Sequence, residues 1–467
     1  MLTSKPISSI YSWQNLRLIA LGIFAIFSLF YMVLHGYFYP MVMMMGFGTA
    51  ALVAMSFPLA TVIAFIITGV LPNIFLMTNY LPEDFTKIGW GINAPDIVLL
   101  SMAGAIFLET LIIKRKVSKQ NSLGLSIYII FFAMWLFFEI LRNVKEHGLS
   151  APGEFRYRYF ILVLPLYISL FFPSVEERKR LFKVLIFFSI FFTLACIPII
   201  GILKGWSVGP ESRFIHSSIS LGLAYGLTAI FLGKKYGLLK LSSIYLWVIS
   251  IPIGILILID SHRSVWLALL VLLLSLLVLK EIRLGRVLSW FIPSVFAGLV
   301  IWIVIGLFGL NIIEYITTRG SAFINPEGDP TAMWRLAIWK AQFEKLLEYP
   351  LWGEGFGGYW RVYVPKLKGE IDVSPHSLYV QTLVKIGVVG LLAYCAIIFK
   401  VFLRLKQWIE THRKGYYPES GIVLTGLVIL IVSHAYYIVY AFEYYTWLFV
   451  GLSIAVINDK SKYMNKA

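Results

Sequence analysis

DPTAMWRLAIWKAQFEKLLEYPLWGEGFGGYW, residues 329–360, leads through a short irregular basic and acidic segment into SPHSLYVQTLVKIGVVGLL, residues 374–392. It is the one long part of the chain that breaks into polar, glycine-marked sequence. Asp329 before Pro330 reads as a helix start, with the aspartate as N-cap and the proline at the first helical position. Tyr349-Pro350 ends that helix about five turns later. On a helical wheel Lys340, Glu344 and Glu348 share one side, while Arg335 falls opposite with Ile338, Trp339, Gln342 and Leu346. An arginine on an apolar side either snorkels its guanidinium to water over an aromatic ring or serves a site. The residues downstream favour a site: Gly353, Gly355, Gly357 and Gly358 permit tight turns, and His376 stands immediately before a new hydrophobic helix.

The surroundings of this stretch are lipid-like. Hydrophobic residues make up 59% of the chain and charged residues 14%, with a mean hydropathy of +0.82, which excludes an ordinary soluble globule. The first apolar segment, Leu16 to Leu34, is too long for a signal peptide and lacks a small-residue cleavage site, so it reads as a retained first span. Cys196 and Cys395 both fall inside apolar segments, so no disulfide framework follows. A net charge of +16 would point to nucleic acid in a soluble protein. Here the placement of the charges matters more than their sum, and no nucleic-acid partner is expected.

The apolar segments run Leu16–Leu34, Met41–Phe57, Leu59–Met77, Ile97–Ile113, Leu123–Leu141, Tyr159–Phe172 and Leu181–Leu203. They continue with Ile215–Leu232, Ile244–Ile259, Ser264–Leu279, Leu288–Phe308, Leu378–Leu403, Gly421–Tyr440 and Tyr444–Ile457. At roughly 20 apolar residues per span this predicts an all-α polytopic membrane protein of about 12 to 14 transmembrane helices. From the fourth segment on, every second loop is basic: 114–119, 178–183, 234–240, 280–286 and 404–414, then the tail at 460–466. Under the positive-inside rule these are cytoplasmic, so both termini lie inside and the Gly309–Pro375 loop lies outside. Three regions result: membrane helices with short outer basic loops over 1–308, the large outer loop with its amphipathic helix over 309–376, and C-terminal membrane helices over 377–467.

The same parity puts a second polar group on the outer face. Arg142, Arg156 and Arg158 flank one outer loop; Lys204, Arg213 and His216 flank another; Asp260, His262 and Arg263 form a very short third. Basic residues at outer helix ends run against the positive-inside bias, and ionisable residues at membrane depth are functional candidates. Headgroup contact is the plain alternative for Arg156, Arg158 and Lys204, and packing is the alternative for His216. Arg263 has almost no loop around it, so it sits at a helix mouth.

Four groups of residues, taken in order, carry a resemblance. They are Ser261-His262-Arg263-Ser264 at the head of a span, Trp334-Arg335-Leu336 with Trp339, Gly353-Glu-Gly355-Phe-Gly357, and His376-Ser377-Leu378-Tyr379 before Gly387-Val-Val-Gly390. The set resembles the O-antigen ligase and polymerase superfamily, in which an S-R arginine, an R-x-x-x-W arginine, a G-x-G turn and an H-N-x-x-L histidine recur around one large outer loop. This chain has Ser377 where the family often has asparagine, and His262 before the arginine. The resemblance implies a GT-C-like membrane glycosyltransferase of the bacterial inner membrane, with its active site facing the periplasm. Such an enzyme moves a glycan from undecaprenyl pyrophosphate to a glycan or lipopolysaccharide-core hydroxyl, with inversion; from the residues, no metal or other cofactor is expected.

A diphosphate at a membrane interface needs cationic, multidentate partners, which arginine's fixed fork supplies. Arg263 and Arg335 are expected to hold it, with Arg142, Arg156, Arg158, Arg213 and His216 as further substrate contacts, and His376 is expected to accept the acceptor's proton. Glu83, Asp84 and Asp96 offer a metal-dependent alternative, but none of the six aspartates forms a D-x-D pair. A transporter of lipid-linked glycan is the competing class. Transporters commonly carry two related halves and interrupted helices, and no such repeat is visible here.

Overall fold

The computed structural model describes residues 38–76, 87–89, 92–110, 123–147, 156–195, 217–259, 263–283, 285, 330–356, 361–364, 369–372, 376–412, 417–439 and 444–459. Helices dominate them, as lipid demands: in a bilayer an unpaired backbone amide has no water to turn to, and an α-helix pairs its own. In chain order the helices are α1 (Phe38–Ser56), α2 (Pro58–Leu76), α3 (Ala94–Leu108), α4 (Leu123–His147), α5 (Arg156–Phe171), α6 (Val175–Ile186) and α7 (Ser217–Lys235). They continue with α8 (Ser243–Ile259), α9 (Arg263–Val278), α10 (Pro330–Leu346), α11 (Leu378–His412), α12 (Pro418–Tyr436) and α13 (Thr446–Asn458). A π-helical stretch, Phe187–Phe192, extends α6.

Among the described residues α11 and α12 are each long and apolar enough to cross a membrane, with several shorter apolar helices beside them. The protein is a membrane protein. The two closely spaced segments expected at Met41–Phe57 and Leu59–Met77 are one bent pair, turning through 115° between Gly48–Ser56 and Pro58–Gly69. Pro58 explains the break, since its ring cannot continue the preceding helix. The segments Leu16–Leu34 and Leu288–Phe308 lie outside the described residues.

The helical reading needs two additions. Lys87–Gly89 (β1) pairs with Ile92–Asn93 (β2), and Arg361–Val364 (β3) pairs antiparallel with Gly369–Asp372 (β4). The second hairpin replaces the irregular segment expected after Trp360. Val362, Tyr363, Val364 and Ile371 are strand-forming residues, and the register sets Arg361 opposite Asp372.

α12 and α13 form the centre. α12 is buried almost all round and packs against α7, α9, α11 and α13, while α13 packs against α5 and α6. Such a helix must be apolar on every face, and its sequence is. Ser453 Oγ spans the α12–α13 contact, 2.9 Å from Ile422 O and 3.0 Å from Phe449 O.

At the end of the bundle remote from α10, Ser174 starts α6 with a capping box. Its hydroxyl accepts from Glu177 N at 3.2 Å, and the Glu177 carboxylate accepts from Ser174 N at 2.9 Å. One helical turn on, Arg178 departs from the sequence reading. Counted there in the basic loop 178–183, it is 1% exposed and donates to Pro173 O (2.6 Å), Glu419 Oε1 (3.2 Å) and Asp459 Oδ2 (2.6 Å).

Candidate functional site

The site forms where α10 and the turn after it meet a broken helix. α11 runs through Gly387 with φ 68° and ψ −177°, a conformation open essentially to glycine alone, so its regular hydrogen bonding stops there. The Pro350–Gly355 turn replaces it. Val384 O accepts from Glu354 N at 2.8 Å and Lys385 O from Gly355 N at 2.9 Å, while Val388 N donates to Pro350 O at 3.0 Å and Val389 N to Leu351 O at 3.4 Å. Ile386 O accepts from the Trp135 indole of α4 at 3.2 Å.

A break inside a membrane helix leaves costly orphan groups unless something pairs them. Here the loop does so, backbone to backbone. Gly353 and Gly355, at φ 74° and 97°, let the turn approach this closely; a Cβ on Gly353 would meet Gly387 N at 2.5 Å.

α4 holds the turn from the other side. Arg142 Nη2 donates to Gly353 O at 2.9 Å and pairs with Glu139, fully buried, at 2.7 Å. The Asn143 amide donates to Glu139 O at 2.7 Å and lies against Gly355. Trp135 stacks on Trp352 with ring centres 5.1 Å apart and an 11° interplanar angle. Lys345 of α10 forms an ion pair with Glu354, tying the helix to the turn after it.

α10 divides as the wheel predicts. Ile338 and Gln342 are buried, and Trp339 packs against Val380 and Val384 of α11, while Lys340, Glu344 and Glu348 are exposed. Arg335 is half-buried. Its neighbour Trp334 places its ring centre 5.1 Å from that of His376.

His376 has φ 47°, in the left-handed region where non-glycine residues are uncommon and histidine is among the tolerated ones. The backbone just after it is fixed. Leu378 N donates to Tyr437 O at 3.0 Å, and the Ser377 hydroxyl lies 3.4 Å from Val380 N as a helix cap and 3.5 Å from the same Tyr437 carbonyl. Ser377 thus anchors the histidine's helix to the end of α12.

Of the residues picked from sequence, His376 lies against Trp334, the neighbour of Arg335 on α10, while the glycine turn packs at the break further along α11, with Arg142 at its far side. Arg263 is the first residue of α9, which packs against α12; Arg156 and Arg158 open α5; the side chains of all three lie outside the described set. Arg213 and His216 are outside it, yet Ser217, next to His216, binds the Tyr436 hydroxyl at 2.7 Å, beside the Tyr437 that anchors α11. Glu83 and Asp84 are outside it, and Asp96 lies in the first turn of α3.

Sequence reasoning passed over Lys385, a lysine 5% exposed just before the helix break, and the buried Thr382 three residues before it. A charge inside the apolar run 378–403 was the signal for Lys385. It also passed over His434 of α12. There Nδ1 lies 2.7 Å from Leu430 O and so donates, leaving Nε2 to accept from the Tyr394 hydroxyl at 3.5 Å.

Residues 247–395 match the family model described as O-antigen ligase. That stretch contains Arg263, Arg335, the glycine turn, His376 and Gly387, the residues that carry the resemblance to the O-antigen ligase and polymerase superfamily. No curated protein matches the chain.

Proposed function

We propose, from the O-antigen ligase match over 247–395, that the protein is a glycosyltransferase acting at the outer face of the bacterial inner membrane. It moves a glycan from undecaprenyl pyrophosphate to a sugar hydroxyl on another lipid-linked repeat or on the lipopolysaccharide core. The seat of His376 carries this reading: a histidine in a left-handed conformation at the head of a membrane helix, against the Trp334-Arg335 turn of α10.

In the reaction the acceptor oxygen attacks the anomeric carbon opposite the diphosphate. The new glycosidic bond forms as the bond from that carbon to the phosphate oxygen breaks, the pyrophosphate leaves with the electron pair, and the hydroxyl proton passes to a ring nitrogen of His376. Attack from the opposite side inverts the centre. Arg263 and Arg335 hold the diphosphate and stabilise the charge that grows on it, a task for preorganised donors in a site shielded from water. No metal takes part; the arginines neutralise the charge. Arg156, Arg158, Arg213 and His216 extend the cationic surface for the substrate, and Arg142 keeps a partly exposed face there while it clamps the glycine turn.

A GT-C-like arrangement of 12 to 14 spans, with cytoplasmic termini and a periplasmic loop, accords with the basic runs on alternate loops. A span number above the roughly dozen typical of the ligases leans the assignment toward a polymerase. The broken α11 favours one second reading, a transporter of lipid-linked glycan, because interrupted helices are common in transporters. In this chain the break is filled by backbone bonds from one outer loop.

Purified protein in vesicles, given a lipid-linked glycan and an acceptor, decides between them. Release of undecaprenyl pyrophosphate in step with new glycosidic bonds, unaffected by EDTA, is the expected result. Movement of the donor across the bilayer with no release of pyrophosphate would establish the transporter. Loss of turnover in EDTA, restored by magnesium, would move the chemistry to Glu83, Asp84 and Asp96.

A further inference from the structure

At the end of the bundle away from the candidate site, α7, α8 and α9 enclose a crevice of about 640 Å³. Its wall is apolar, with Leu227, Phe231, Leu246, Leu269, Leu272 and Leu276 prominent, and Lys234, Lys235 and Ser243 line one end of it. A volume of this size holds a lipid chain or a small ligand.

The two lysines differ in how their charge is met. Lys235 Nζ lies 2.5 Å from the Glu281 carboxylate and 2.8 Å from the Glu281 carbonyl, and the same carboxylate accepts from the Tyr236 hydroxyl at 3.1 Å. Its charge is balanced. Lys234 Nζ donates to Ser243 Oγ at 2.9 Å, a neutral hydroxyl, and no carboxylate pairs with it among the described residues. An ammonium carries three donors, so two remain at the mouth of an apolar crevice. Lys240, Lys280 and Arg283 are exposed at the same end of these helices.

We propose that this crevice binds one anionic glycerophospholipid, with an acyl chain among the leucines and the phosphate at Lys234. Charge selects the occupant. An apolar groove alone accepts any lipid, but an ammonium at its mouth whose partner is a neutral hydroxyl attracts a phosphate that carries net negative charge, and the three exposed cations add to the attraction. The position is independent of the glycan chemistry: α9 starts at Arg263 and rises about 24 Å to Val278, and the crevice uses it from Leu269 onward.

The test uses the full-length chain in detergent, stripped of lipid and exposed to mixed micelles of phosphatidylglycerol and phosphatidylcholine with matched acyl chains. Bound lipid is counted by native mass spectrometry. One phosphatidylglycerol should be retained with about fivefold preference over phosphatidylcholine, the worth of one lysine at a lipid surface. Lys234→Gln should remove the preference, Lys234→Arg should keep it, and Leu272→Trp, which fills the crevice, should lower retention of both lipids. Equal retention of the two lipids by the wild type, or a preference that survives Lys234→Gln, overturns the proposal.

Discussion

Replacing Gly387 with alanine separates the docking of the glycine turn from the folding of the bundle. The backbone there has φ 68° and ψ −177°, and a Cβ would collide with the Leu351 carbonyl and with Trp352 N. Holding alanine in that conformation costs about 1–3 kcal/mol, and alanine gains about 1 kcal/mol over glycine in a continuous helix. Together about 2–4 kcal/mol shift the balance from broken to continuous. At about 1.4 kcal/mol per tenfold the docked fraction changes by roughly 30- to 700-fold.

A continuous helix supplies its own partners, Val388 N to Val384 O and Val389 N to Lys385 O, so α11 loses no backbone pairing when the turn leaves. The bundle should therefore insert at near-normal levels. The loss falls on the loop, where Glu354 N, Gly355 N, Pro350 O and Leu351 O forfeit their partners. Turnover of lipid-linked glycan should drop by a comparable factor, and trypsin should cut after Lys345, which is tied to the turn through Glu354. Near wild-type turnover with unchanged resistance to trypsin would refute the claim that the break positions the site.

His376→Asn keeps a residue that tolerates the left-handed backbone and removes the base; turnover should fall by roughly 10²- to 10⁴-fold at unchanged abundance. Wild-type rate should decline on acidification, since protonation occupies the ring nitrogen that must accept, and the variant's remaining rate should lack that decline; a variant whose pH profile matches the wild type would remove His376 as the base. Arg335→Lys retains charge but not the two-pronged fork, so most activity should be lost while the protein still inserts; product of normal length would return Arg335 to snorkelling. Arg142→Ala leaves the Glu139 carboxylate buried beside no cation and frees Gly353 O, which should cost about 3 kcal/mol or more as a lowered melting temperature. Adding Glu139→Gln should restore much of it, and a double variant no more stable than the single would show that the pair does not stabilise the protein.

Legibility in the sequence was a matter of range. Pro330 and the polar stripe Lys340-Glu344-Glu348 announce α10 because start signals and faces are written within a few residues. His376 and the glycines stood out because polar residues in an apolar chain are few. The break in α11 was hidden, since a glycine in the run Ile386-Gly387-Val388 looks like any helix-packing glycine; its partners are residues 350–355, more than thirty positions away. Distance likewise hid the ties of Arg142 to Gly353 and of Arg178 to Glu419 and Asp459, so one was counted among the substrate contacts and the other in a basic loop. The β3–β4 hairpin was missed because its strands are short and interleaved with charge.

Arg178 also has a history in time. Glu419 comes 241 residues after it and Asp459 281, so the ribosome delivers the helix bearing the cation long before either carboxylate exists. At about 5–20 residues per second the arginine waits roughly 15 to 55 s for its last partner. During that interval α6 can rest at the membrane surface with the guanidinium among water and headgroups, and only the arrival of α12 and the end of α13 allows it to be drawn inside. Asp459 thus closes a joint opened 281 residues earlier in synthesis.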